Sequence, residues 1–175
     1  YGGSCFPKDV EAFIRLADAL GHDFKLLKEV QQINQAQRDY LIKKIKKELW
    51  VVQDKTIAVF GLAYKPGTDD IREAPSLYFV PKLQEMKAKL RAWDPVAGQK
   101  FREVHPELDC VGDLYECATG ADLVLILTEW DEVKQMDLQR LKSVMACPVV
   151  VDGRNLFKPA AMRAAGFTYL SVGRD

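Results

Sequence analysis

The chain has 175 residues, 48% of them apolar and 29% charged, with 25 Lys+Arg against 25 Asp+Glu; this suits one globular domain, or a compact domain with an appendage. Zero formal net charge argues against a polybasic nucleic-acid or membrane-surface binder, and no apolar run approaches the ~20 residues that cross a bilayer. Cys5, Cys110, Cys117 and Cys147 make no CxxC pair, so neither a disulfide scaffold nor a metal site is expected and a reducing, cytoplasmic setting is the simplest reading.

The sequence opens on Tyr1 rather than Met and shows no signal peptide, so it reads as a fragment that has lost residues upstream. Pro7 suits a first helical position, with Val10, Phe13, Ile14 and Ala17 following at helical spacing and Gly21 ending the helix. Asp23 is placed to cap a second helix from Phe24 to about Trp50. Its stripe is Leu26, Leu27, Val30, Ile33, Tyr40, Leu41, Ile45 and Leu49. At ~1.5 Å per residue such a helix spans roughly 40 Å. One small domain cannot cover it, so an upstream domain or a second subunit is expected to bury the rest. Lys43, Lys44, Lys46 and Lys47 read as a solvated face near its C-terminus. Val51–Asp54 is the candidate hinge.

After Asp54 the rhythm changes. Short apolar runs at 56–60, 90–93, 123–127, 149–151 and 169–172 read as strands, and 76–90, 113–119, 138–145 and 159–165 read as helices. Alternating strand and helix predicts an α/β fold with a parallel, doubly wound sheet over 55–175, preceded by the helical segment 1–54. Pro81 is expected to kink its helix. The turns at 61–70, 94–97, 128–131 and 152–155 fall at the C-terminal ends of strands, where such sheets hold ligands. Asp94 and Asp152 close strands before Pro or Gly, and a polar turn suffices to explain each. His22 and His105 read as loop residues, and Trp50, Trp93 and Trp130 as core or interface packing.

Two strings carry chemistry. The first is Gly2-Gly3-Ser4-Cys5-Phe6-Pro7-Lys8-Asp9. It joins two glycines that allow close approach to a cysteine at a helix N-terminus, a lysine, and a carboxylate able to orient or deprotonate water. That is a candidate activated nucleophile with helpers; on the residues alone, a lone cysteine is more often a small buried hydrophobe. The second runs from Phe60 to Ser76, FGLAYKPGTDDIREAPS, between a strand and a helix. It is neither GxGxxG nor a Walker loop, and Lys65 and Arg72 are its cations.

Together with WDP at 93–95, TEWDE at 128–132 and DGRN at 152–155, these strings resemble the nucleotide-sugar dehydrogenases, the UDP-glucose/GDP-mannose dehydrogenase family, over their central and C-terminal portion. The resemblance implies a helical dimerisation segment followed by a Rossmann-like domain that binds a UDP-sugar. It implies oxidation of a sugar 6-alcohol to a carboxylate with two NAD, by way of a cysteine thiohemiacetal and thioester. Under it Cys5 is the nucleophile and Asp9 serves the water and general-base steps. Lys8 and Arg72 meet NAD. Tyr1, Gly2, Gly3, Tyr64 and Lys65 contact substrate, and Arg154 reaches it from a neighbouring subunit. Residues 24–50 would form a homodimer core. KPGTDDIREAPS and TEWDE lean towards UDP-glucose, with UDP-N-acetylmannosamine or GDP-mannose as alternatives. A non-catalytic nucleotide-binding or dimerisation module is the rival of another class. The family's GxGxxG domain, the main NAD site, is absent from these residues, so the chain alone is expected to be inactive.

Overall fold

A computed structural model describes residues 1–174. Among them, eight helices alternate with or precede six strands. Helix α1 (Phe6–Ala19) begins with Pro7 in its first turn, and the chain leaves it through Gly21 at φ +77°. Helix α2 spans Lys25–Leu49. It starts one residue later than the sequence suggests, so Asp23 lies outside the cap position. Its carboxylate pairs with Lys28 at 2.9 Å instead, and Phe24 stands at the cap without a side-chain bond.

The strands are β1 (Thr56–Phe60), β2 (Lys89–Trp93), β3 (Asp109–Val111), β4 (Leu123–Ile126), β5 (Val149–Asp152) and β6 (Thr168–Ser171). They form one parallel sheet in the order β3-β2-β1-β4-β5-β6. The winding therefore reverses between β1 and β4. Every residue of β4 is buried, as an unbroken apolar run requires when helices cover both faces. The intervening helices are α3 (Ser76–Glu85), α4 (Gly98–Val104), α5 (Leu114–Ala118), α6 (Asp131–Lys134), α7 (Leu138–Val144) and α8 (Pro159–Ala164).

Helices α4 and α6 stand where the sequence reading had none, and β3 and α3 differ from it as well. Strand β3 adds a sixth strand at the sheet edge, only three residues long and half-buried at best. Helix α3 stops at Glu85 rather than near Leu90, because Lys87 takes a positive φ of 60° and turns the chain into β2. Pro81 does not interrupt α3. A proline there forfeits a single bond to the Leu77 carbonyl, while Phe79, Val80 and Leu83 hold the helix in the core.

The stripe on α2 divides. Leu41, Ile42 and Ile45 enter the core of the sheet domain, whereas Leu26, Ile33 and Tyr40 stay exposed. Lys44 fastens the buried half by donating to the Ser171 carbonyl at the end of β6 (2.6 Å). Tyr78 of α3 donates to Asp39; burial and that bond push its phenol up to about 12.

Candidate functional site

The reversal between β1 and β4 is where a doubly wound sheet opens a crevice for ligands. Here that point is closed by the protein's own groups. Asp94, buried at the end of β2, accepts from the main-chain N–H groups of Leu62 (2.7 Å) and Ala63 (3.0 Å) in the turn after β1. It also accepts from Val96 and Ala97 N–H and from Trp130 Nε1 (3.1 Å). Gly61 sits at φ +93°, and a side chain there would collide with Thr128. In a phosphate-binding turn the N–H groups after the first strand point at the ligand; in this one a carboxylate already occupies them. Asp152 plays a similar part after β5, accepting from Arg154 N–H, Leu156 N–H and the Tyr169 hydroxyl. Trp93 and Trp130 are core residues, while Trp50 is 91% exposed.

The open cleft lies beside this point, between α2 and the ends of β4 and β5. It has a volume of about 250 Å³, and Tyr1, Gly2, Asn34, Arg38, Tyr64 and Arg154 are among its walls. Four residues expected to contact substrate therefore meet in one cleft of one chain. Gly3 lies directly beneath the Tyr64 ring, at φ +80°, where any side chain would run into the ring. Arg154 comes from the same chain as Tyr1 and Tyr64, so its place in this cleft requires no second subunit. Its guanidinium is held by Glu129. Burial raises the Glu129 carboxyl, but the hydrogen bond and charge of Arg154 outweigh it and hold the group below its ordinary value.

Three residues beyond Gly2, Cys5 is exposed at the N-cap of α1. The loop bearing it is tied to the sheet domain. Gly3 N–H donates to the Glu73 carbonyl (3.4 Å), and the Ser4 hydroxyl donates to Asp70 (3.2 Å). Arg72 forks onto both oxygens of Asp70 (2.9 and 2.8 Å) and reaches Ser4 Oγ (3.4 Å). The side-chain bonds from Arg72, aided by its main-chain N–H, hold the Asp70 carboxyl far below its usual range. The remaining expected residues stand apart. Lys8 and Lys65 are exposed and make no ion pair among the described residues, and Asp9 faces a separate apolar groove with Phe13, Leu16 and Leu27.

Asn34 and Arg38 escape sequence reading, as do Ser4, Asp70 and Glu129. Asn34 clamps Tyr1, accepting from its main-chain nitrogen and donating to its carbonyl, both at 2.8 Å. The i, i+4 spacing of Asn34 and Arg38 within an otherwise apolar stripe is the available signal.

A Rossmann-like sheet with a cleft at its strand ends, walled in part by a loop that carries an exposed cysteine, defines a class, the nucleotide-handling α/β enzymes. Comparison narrows it. Residues 58–159 match the UDP-glucose/GDP-mannose dehydrogenase family, UDP binding domain, and residues 1–36 match the central domain of the same family. The chain belongs to that family. It is 42% identical over 175 residues to the UDP-glucose 6-dehydrogenase TuaD of Bacillus subtilis, covering 99% of this chain and 38% of that protein. Identity is also 42% to a UDP-glucose 6-dehydrogenase of Pseudomonas aeruginosa, covering 99% and 40%. Among solved structures, a UDP-glucose dehydrogenase from Pyrobaculum islandicum superposes with a TM-score of 0.84 at 31% identity, over 99% of this chain and 37% of that one. A UDP-D-ManNAc dehydrogenase from Pyrococcus horikoshii gives 0.79 at 30% identity, covering 99% and 38%. The chain thus spans about two fifths of the length of these relatives.

Proposed function

We propose that the chain supplies the UDP-sugar cleft and the reactive cysteine of an NAD-dependent UDP-glucose 6-dehydrogenase. The observation that carries this reading is the convergence of Tyr1, Gly2, Tyr64 and Arg154 on one cleft, with Cys5 on the loop that forms its rim. Tyr64 offers a ring face and Arg154 a fork suited to phosphate oxygens. Cys5 places a soft nucleophile at the edge, beside the partial positive charge of the first turn of α1 and beside Arg72. A thiolate here adds to an aldehyde carbon: the S–C bond forms, the carbonyl π bond breaks, and the oxygen takes a proton to give a thiohemiacetal. The sugar stays attached between successive oxidations.

The residues present do not make a site for NAD at the head of the sheet. Asp94 fills the turn whose N–H groups would meet the dinucleotide phosphates, and a carboxylate there repels them. In this reading the hydride acceptor is held outside these 175 residues, and no step is derived through it.

Calorimetric titration of the purified chain with UDP, UDP-glucose and GDP-mannose tests the proposal. Selective binding of the uridine nucleotides, weakened at least ~10-fold in Arg154→Ala, is expected. Equal affinity for GDP-mannose would redirect the substrate, and tight self-association without nucleotide binding would favour an assembly module.

A further inference from the structure

The contact between Ser4 and Cys5 has a direction that hydrogen-bond inventory fixes. Ser4 Oγ lies 3.9 Å from Cys5 Sγ, a separation at which either atom could donate. A serine hydroxyl has one proton and two lone pairs. The proton is committed to Asp70 Oδ2 (3.2 Å), because a carboxylate can only accept. One lone pair is committed to Arg72 Nη2 (3.4 Å), because a guanidinium can only donate. What remains for the sulfur is the second lone pair, which accepts from a thiol and repels a thiolate. Asp70 is itself kept ionised and oriented by the Arg72 fork and by Arg72 N–H (3.0 Å), while its own N–H is held by Thr68 Oγ1 (3.1 Å).

We propose that Asp70 is a positioning residue for Cys5: by taking the Ser4 proton and forking Arg72, it turns the Ser4 oxygen towards the sulfur as an acceptor and favours the thiol until the bridge opens. The proposal rests on the reading of Cys5 as the nucleophile. When Asp70 turns away from Ser4, alone or with Arg72, the Ser4 proton is released and swings to stabilise the thiolate. The bridge joins the loop before α1 to the loop before α3, so a movement of either segment at the cleft acts on the nucleophile. The charge coupled to Cys5 is that of Arg72; Lys8 and Asp9 follow on α1, Asp9 facing the separate groove, and Glu73 meets this loop through its carbonyl, which accepts from Gly3 N–H.

The test is alkylation of the full 175-residue chain by iodoacetamide from pH 5 to 9, with Cys5 and the exposed Cys147 quantified separately by peptide mapping. In Asp70→Asn, the Cys5 rate at pH 7 should rise about threefold or more relative to Cys147, with its pH profile displaced to lower pH. Ser4→Ala, a milder change at the surface, should leave the Cys5 rate equal or slightly higher. In the Asp70→Asn background it should cancel much of the gain, because the freed hydroxyl is the intermediary. An unmoved profile in Asp70→Asn, or a slower Cys5 in Ser4→Ala, overturns the proposal; the second result would mean that Ser4 already donates to sulfur. The nucleophile reading fails separately, if Cys5 freed of the bridge in Asp70→Asn still reacts no faster than Cys147 across the range although its profile is displaced.

Discussion

The sheet domain and the helical segment that precedes it bury their apolar side chains to opposite degrees. Leu123, Val124, Leu125 and Ile126 are all fully buried, and since their side chains alternate in direction both faces of the sheet are covered there. Phe13, Leu16, Leu20, Leu26 and Ile33, on or beside α1 and α2, are all more than half exposed. Within one helix the change falls near residue 40, since Leu41 and Ile45 are core residues and Tyr40 is not. Helix α1 buries only Val10 and Ile14; the ties between this segment's helices include exposed polar pairs such as Lys28–Asp18 (2.8 Å) and the edge contact of Phe13 with Phe24, and exposed ion pairs contribute ~0–1 kcal/mol each. The sheet domain closes its own core. The helical segment presents an apolar face that its own chain leaves open, and a face of that kind marks an interaction surface.

The contrast is broken most severely at Asp94. Asp94→Ala strands the N–H groups of Leu62 and Ala63 and the Trp130 indole without an acceptor. Buried donors left unpaired cost ~1–3 kcal/mol each, so a loss of at least ~3 kcal/mol in urea unfolding is expected. A loss under ~1 kcal/mol would show that solvent reaches the turn and that the reversal point is open after all. Gly61→Ala ranks next, at about 2 kcal/mol or more, since it adds a clash with Thr128 to an unfavourable φ. Its control is Gly67→Ala at φ +74° in open space, where only the backbone term of ~1 kcal/mol remains.

Legibility in the sequence follows the range of the interactions. Strand β4 was readable because four consecutive apolar residues buried on both faces announce themselves locally. Strand β3 was not, since Asp109-Cys110-Val111 is short and partly solvated, and only pairing with Arg91, Ala92 and Trp93 makes it a strand. Gly3 reads as a place of close approach, but the ring that approaches belongs to Tyr64, in another part of the chain. Asp94 reads as a strand-end turn, which accounts for its bonds to Val96 and Ala97; the three remaining donors come from 31 to 36 residues away. Asn34 and Arg38 read only as breaks in the apolar stripe of α2 until the ends of β4 and β5 are brought opposite them.

The exposed face gives the third prediction. If residues 24–50 form a homodimer core, as we propose, Ile33→Lys should leave unfolding of the sheet domain within ~0.5 kcal/mol of wild type. In sedimentation velocity it should weaken self-association by ~10-fold or more, since the change removes an apolar contact and strands a charge. An unchanged association constant would assign this face to some other occupant.

The smallest effect tests the tie between the two regions. The folded Asp70 carboxyl is depressed chiefly by the side-chain bond to Arg72. Its contribution to stability is therefore complete above the unfolded carboxylate value of about 3.9 and is lost as pH falls below it. Arg72 is 74% exposed in its side chain and Asp70 25%, so solvent screens the pair and the contribution stays under ~1 kcal/mol. Urea midpoints at pH 6 and pH 3 should therefore converge slightly in Asp70→Asn relative to wild type. Equal acid sensitivity in both proteins would mean that the bridge makes no net contribution. A change well above 1 kcal/mol would mean that it fastens the nucleophile's loop as part of the sheet domain's core, and the boundary between the two regions would then lie ahead of Cys5 rather than within α2.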